Sequence, residues 1–379
     1  MSRADETGQA TVPHADTAGE RVVVAGRRRR PTLRMVADAA GVSTATVSYV
    51  FSGRNGGDSG VAPDTERRVL DAAEQLNYRP NRAARTIRTG RSDTVQLSLH
   101  MLSDPWSLAV AGAVNAEAVR HGLTTLILAD GDWYASLDRV ESDVAYLDGA
   151  ADTDEGRRKL AALVERGQRL VVFSETLEPD GYDVIRSDAI PGCFLAMDHL
   201  LERHTAIGCL AAEGAVRAAD DAERAAEGAG RSRYTPYLER MRERGLPVDP
   251  AHTATYAGTQ ASAFAAAVAL LSQHDRPTAI YATTDFAAIA AINAAHMLGL
   301  RVPHDVAVVG VGNTPDARLS TPTLTTVGPT DFYDRQAQII VARALEPHTP
   351  EPTLHDFPWS LFPGGSTDLD APPRAERTP

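Results

Sequence analysis

A chain of 379 residues with a net charge of −12, 43% hydrophobic and 23% charged residues has the balance of a soluble globular protein of two or three folded units. No stretch approaches the ~18–20 apolar residues of a membrane span, and Met1–Glu20 is polar and acidic where a secretory leader would be apolar. Cys193 and Cys209 are too few for a disulfide framework or a metal site and read as small core residues, so a cytoplasmic protein is expected, with no cofactor and no metal.

The charge is uneven. Residues 27–91 hold 13 arginines against six acids, a surplus of seven positive charges, so the rest of the chain carries −19. A basic head on an acidic body points to nucleic-acid contact by the head alone.

In chain order, residues 1–30 read as a disordered arm ending in the basic run Arg27–Arg30, suited equally to phosphate contact and to plain solvation. From Thr32, a candidate N-cap, Leu33, Val36, Ala37 and Ala40 fall on one helical face, and Gly41 ends that helix. Ser43 can cap a second helix over 44–51, whose Val47 and Val50 face the first. Two short helices about a glycine turn make a helix-turn-helix. Residues 52–60 are glycine-rich and loop-like. Pro63 opens a third helix with Val69, Leu70, Ala73 and Leu76 as its apolar face, completing an all-α head over 31–80. Residues 82–88 can form another turn or two of helix, too short to be stable alone, within a hinge over 81–92.

From residue 93 to 366, strands at 95–99, 124–127, 144–147, 170–173, 207–210, 279–281 and 306–309 alternate with helices at 107–121, 155–166, 192–203, 234–244, 261–272 and 286–298. Alternation of this kind implies parallel sheets covered on both faces, and the length implies two lobes. Residues 367–379 read as a disordered tail.

The run from Pro31 to Gly53, PTLRMVADAAGVSTATVSYVFSG, together with Leu76–Arg85, LNYRPNRAAR, strongly resembles the head of the lac repressor (LacI/GalR) family. A weaker resemblance covers the body, in Tyr237–Asp249, Arg276–Ala288, Leu300–Gly310 and Pro322–Val327, and together they span about 31–366. The resemblance implies a helix-turn-helix head, a hinge helix, and a two-lobed α/β sensor of the type I periplasmic-binding-protein-like kind. It further implies a transcription regulator, most often a repressor, that binds a pseudo-palindromic double-stranded DNA operator as a homodimer under control of a small-molecule effector, commonly a sugar.

The same resemblance assigns residues. Thr44, Ala45 and Tyr49 face bases in the major groove, and Ser43, Thr46, Ser48 and Thr32 lie near phosphates. Ile87 is the hinge wedge for the minor groove, with Ala84 one turn earlier and Asn81, Arg82, Arg85 and Arg88 beside it. Asp104, Trp106, Asp188, Arg233, Asp285 and Asn313 are effector contacts. Turn or cap use is the competing reading, strongest for Asp188 and Asn313.

The body departs from the family pattern. Residues 130–143 are about eight residues short of the usual helix, and the expected aspartate-rich segment after a late strand is Val311-Gly312-Asn313. A regulator with a degenerate pocket that works by DNA affinity alone is therefore the alternative. An enzyme is disfavoured: Gly310-Val-Gly-Asn-Thr-Pro315 breaks the dinucleotide fingerprint at its last glycine, and no phosphate-loop, zinc-protease or nucleophile-elbow motif is present. An exported solute-binding protein would share the body fold but not the basic head.

Overall fold

In a computed structural model the described residues are 31–52, 61–79, 86, 90–99, 105–128, 132–137, 139–150, 152–218, 232–347 and 351–370. They divide into two compact units, residues 1–85 and 86–379.

The first unit holds three helices, α1 (Leu33–Ala40), α2 (Thr44–Ser52) and α3 (Pro63–Gln75). Thr32 caps α1, its hydroxyl accepting the Met35 N–H at 3.3 Å. Gly41 ends the helix at φ 65°, and the Val42 N–H reaches back to the Ala37 carbonyl at 3.0 Å. A small core of Val36, Ala37, Ala40, Val47, Val50, Val69, Ala72 and Ala73 joins the three helices. Leu70, expected in that core, is exposed, and Ala72 takes the place. The buried positions 69, 72 and 73, with the half-buried Leu76, keep the helical period, and Leu70 sits one step off it. No side chain crowds Gly41, so Gly41→Ala isolates the left-handed backbone strain. The expected result is a loss of about 1–2 kcal/mol, read as reduced hydrogen-exchange protection of the Val36 and Val47 amides; unchanged protection would contradict it.

The second unit contains two six-stranded sheets. One has the order β11-β5-β4-β3-β1-β2, from β1 (Thr94–Ser98), β2 (Thr124–Leu128), β3 (Val144–Asp148), β4 (Leu170–Phe173), β5 (Asp183–Arg186) and β11 (Leu354–Asp356), all parallel. The other has the order β12-β10-β9-β8-β6-β7, from β6 (Ile207–Ala212), β7 (Thr253–Tyr256), β8 (Ala279–Ala282), β9 (Ala307–Val311), β10 (Thr325–Pro329) and β12 (Trp359–Phe362), with only β12 antiparallel. Helices cover both faces of each sheet, which is why the strands read as short apolar runs. In the first lobe these are α4 (Pro105–Arg120), α5 (Trp133–Leu137), α6 (Asp154–Glu165) and α11 (Phe332–Leu345). In the second they are α7 (Ala189–Leu201), α8 (Thr235–Glu243), α9 (Gln260–Leu271) and α10 (Asp285–Met297). The five-residue α5 occupies the stretch that is short in sequence.

Strands β5, β7, β10, β11 and β12 and helices α5 and α11 are additions to the sequence expectation. Of these, β5, β10, β11, β12 and α11 flank the lobe exchanges. The chain passes from the first lobe to the second between Arg186 and Ala189, returns between Pro329 and Phe332, and passes again between Asp356 and Trp359. Order also continues past residue 366: the Ser366 hydroxyl donates to the Val308 carbonyl at 2.6 Å, and the Thr367 hydroxyl meets His199 Nε2 at 2.8 Å.

Candidate functional site: a reading helix and an interlobe cleft

The first unit presents α2. Ser43 precedes it and accepts the Thr46 N–H at 3.1 Å, while the Ser43 and Thr46 hydroxyls meet at 2.9 Å. Thr46 and Ser48 are half-buried; Ser43, Thr44, Ala45 and Tyr49 are exposed, Tyr49 by 52%. Thr44 and Ala45 thus stand on the first turn, where helix N–H groups point outward and favour an anionic neighbour. Asn81, Arg82, Ala84, Arg85, Ile87 and Arg88 lie outside the described residues, as do Arg27–Arg30 and Asp104.

The second unit has a cleft of about 330 Å³ where the carboxyl ends of the two sheets meet across the crossovers, the position that open parallel sheets use for ligands. Register brings Asp148 and Phe173 side by side at the ends of β3 and β4. Trp106 stands on the first turn of α4, its ring 5.0 Å from that of Phe173 and stacked 5.6 Å from that of Phe332. The second lobe supplies Arg233, the β8–α10 turn (Thr284–Phe286), and Val311, Gly312 and Thr314 after β9. Trp359 opens β12 and donates its indole N–H to the Ser187 hydroxyl at 2.8 Å, and the Arg233 guanidinium lies over its ring at 5.6 Å.

Asp285 is 1% exposed. Its Oδ2 accepts the Thr314 N–H at 2.6 Å and the Thr314 hydroxyl at 3.0 Å, and its Oδ1 accepts the Thr326 hydroxyl. Three of its roughly four acceptor sites are therefore filled from within the protein. Burial pushes its pKa up to about 6, against the opposing pull of those hydrogen bonds and of Arg233. A carboxyl raised in the folded state favours the fold fully below its unfolded value near 4, and loses that contribution as pH rises through about 6. The difference corresponds to about 3 kcal/mol. Asp285→Asn keeps the shape and removes the titration, so the unfolding free energy of the native chain is expected to decline relative to that of the variant as pH rises from 4 to 7. Equal slopes in urea titrations would show that Asp285 does not carry the effect.

Trp106, Arg233 and Asp285 are thus brought together in one cleft. Asp188 and Asn313 are not among its lining residues. Asp188 is exposed at the first crossover and caps α7, accepting the Ile190 N–H at 3.0 Å. Asn313, at φ 49°, donates its side-chain amide to the Pro329 carbonyl at 3.2 Å and fixes the second crossover. The turn and cap chemistry of Asp and Asn explains both positions. Sequence reasoning did not identify Asp148, Phe173, Glu175, Ser187, Phe286 or Trp359. The only available signal was that Asp148, Phe173 and Glu175 end or follow predicted strands.

Helix α11 connects two regions. Phe332 begins it, buried beneath the cleft-lining rings of Trp106 and Phe173; at its far end Arg91 donates to the Ala344 and Leu345 carbonyls at 3.1 and 3.4 Å, and Arg169 to those of Arg343 and Glu346 at 3.3 and 2.8 Å. Among the described residues no helix is long and apolar enough to cross a membrane.

Comparison with known proteins matches residues 32–81 to the bacterial regulatory proteins of the lacI family and residues 197–367 to the periplasmic binding protein-like domain. The chain is 31% identical over 306 residues to the HTH-type transcriptional repressor PurR of Yersinia pestis bv. Antiqua (strain Antiqua), covering 78% of this chain and 84% of that one. Among solved structures, the transcriptional regulator CelR–cellobiose complex is 25% identical with a TM-score of 0.54, covering 89% of this chain and 100% of that chain. The lac repressor dimer bound to operator and the anti-inducer ONPF has the same fold at 22% identity and a TM-score of 0.63, covering 89% and 99%. A helix-turn-helix unit, a two-lobed α/β unit with a cleft at its strand ends, and these relatives make this chain a member of the lacI family of bacterial regulatory proteins.

Proposed function

We propose that this chain is a homodimeric, sequence-specific transcriptional repressor that binds a pseudo-palindromic operator and changes its DNA affinity when a small molecule fills the interlobe cleft. The observation that carries this reading is the pairing of an exposed reading helix with a cleft built across three chain crossovers. Thr44 hydrogen-bonds a base edge, Ala45 meets a thymine methyl, and Tyr49 follows one turn later, while Ser43, Thr46, Ser48 and Thr32 lie against phosphates. Residues 81–92 form the hinge between a head over 31–80 and a sensor from 93; Ile87 wedges the minor groove, flanked by Ala84, and Asn81, Arg82, Arg85 and Arg88 hold the backbone. The chain acts in the cytoplasm, on the nucleoid, and catalyses no reaction.

Trp106, Arg233 and Asp285 contact the effector, and Asp188 and Asn313 hold the crossovers instead. Closing of the lobes moves Phe332, and α11 carries that movement to Arg91 at the end of the hinge. Control requires only that the effector bind the open and closed forms unequally. The open, polar and aromatic cleft favours a sensor over a regulator with a degenerate pocket.

Thr44→Ala tests the head. On a genomic fragment selected by the native protein it is expected to weaken binding about 5–150-fold, equivalent to 1–3 kcal/mol, and to relax preference at one base pair in each half-site, with little change on random DNA. Equal weakening on both DNAs would assign Thr44 to the backbone instead.

A further inference from the structure

The cleft holds opposite charges that form no ion pair with each other among the described residues. From the second lobe, the Arg233 guanidinium donates to the Thr283 carbonyl at 3.2 Å and lies over Trp359; among the described residues no carboxylate forms an ion pair with it. From the first lobe, Glu175 also lines the cleft, and among the described residues its carboxylate has no ion-pair partner either. It takes the Ala189 N–H and feels Arg233 and Asp188 only through space, and burial pushes its pKa up. Of the other two acids that line the cleft, Asp285 is already held by three donors, and Asp148 stands beside Phe173 at the end of β3. Closing the cleft removes water from both Glu175 and Arg233, and a desolvated charge costs several kcal/mol unless something pairs with it. Around them stand Trp106, Phe173 and Trp359, which offer flat apolar faces to a ring.

Building on the reading of this cleft as an effector site, we infer that the effector is a zwitterion: a small ring-bearing molecule whose protonated amine meets Glu175 and whose carboxylate or phosphate meets Arg233. Each charge on the ligand satisfies one lobe, and a ring held between the two side chains keeps them from pairing directly with each other, so a molecule with both charges leaves neither unpaired. Glu175 then determines specificity, rejecting the neutral and purely anionic analogues that Arg233 and the aromatic faces would accept.

Two matched series of probes test this with the full-length dimer by thermal shift and calorimetry. One is glucose, glucosamine, glucose 6-phosphate and glucosamine 6-phosphate. The other is L-phenylalanine, 3-phenylpropionate and phenethylamine. The expected result is that the zwitterion of at least one series binds at least tenfold tighter than every member lacking a charge. Glu175→Gln should erase the advantage of the amine and Arg233→Gln that of the oxyanion. Circular dichroism of both variants checks that each is folded. Preferential binding of a neutral or singly charged probe, unaltered by Glu175→Gln, overturns the inference while leaving the cleft an effector site. Binding by no member of either series also overturns it, and the repressor reading is then judged separately on DNA.

Discussion

Arg343→Ala is expected to lower the unfolding free energy by about 3–5 kcal/mol, because it strands a buried carboxylate. Arg343 sits near the end of α11 and holds Asp183 on β5 through two donors, Nε at 2.6 Å from Oδ2 and Nη2 to Oδ1. The two side chains are 10% and 2% exposed. The Thr353 N–H also reaches Asp183, at 2.8 Å, so one carboxylate ties α11, β5 and the segment before β11 together. Burial pushes the Asp183 pKa up, but His355, Arg343 and the Thr353 N–H outweigh it and hold the group below its ordinary value. A carboxyl lowered in the fold contributes stability above its unfolded value near 4 and loses it as pH falls through the folded value. Without Arg343 the burial penalty loses one of its counterweights, and the Asp183 pKa rises. The destabilisation should therefore be largest at pH 7 and shrink towards pH 5 as Asp183 takes up a proton. Urea unfolding at the two pH values measures this. Pairing Arg343→Leu with Asp183→Leu should recover most of the loss; a single-variant loss below 1 kcal/mol would show that the pair does not hold the lobe.

Phe332→Ala is expected to cost a similar 3–5 kcal/mol and to remove the support beneath the cleft-lining Trp106 and Phe173 as well. The ring is 2% exposed and packs against Trp106, Phe173, Tyr333 and Phe357, with centroids 5.6, 6.1, 5.6 and 5.0 Å away. It is the first residue after the second crossover, so its loss loosens the joint between the lobes. Phe332→Leu should keep most of the stability, at a cost of about 1 kcal/mol. Denaturant unfolding ranks the variants, and near-ultraviolet circular dichroism follows the packing of Trp106. Equal stability of the alanine variant and the native protein would rule out Phe332 as the anchor of α11.

Much of this architecture was legible in the residues. The head is local: its caps, glycine turn and 3.6-residue period lie within about 45 residues, and the family motif covers them. Leu70 was misplaced because periodicity alone does not choose between adjacent positions when both are apolar. The alternation of strands and helices exposed the two lobes. It did not expose the late exchange, because α11, β11 and β12 are assigned to lobes by contacts such as Asp183 with Arg343, 160 residues apart. The cleft suffered the same way. Trp359 reaches it only through the third crossover, and Glu175 lies in a loop with no pattern of its own. Asp188 and Asn313 show the converse, since both fit a ligand motif and a turn equally well and the backbone uses them as turns.

Repression of particular genes requires the head to read DNA sequence. The measurement is binding of the purified full-length protein to fragmented genomic DNA across a salt series, with the retained fragments sequenced. A sequence-reading head is expected to recover a palindrome whose affinity falls steeply as salt rises, because arginines displace counterions from phosphates. Retention of no enriched sequence at any salt concentration would contradict it.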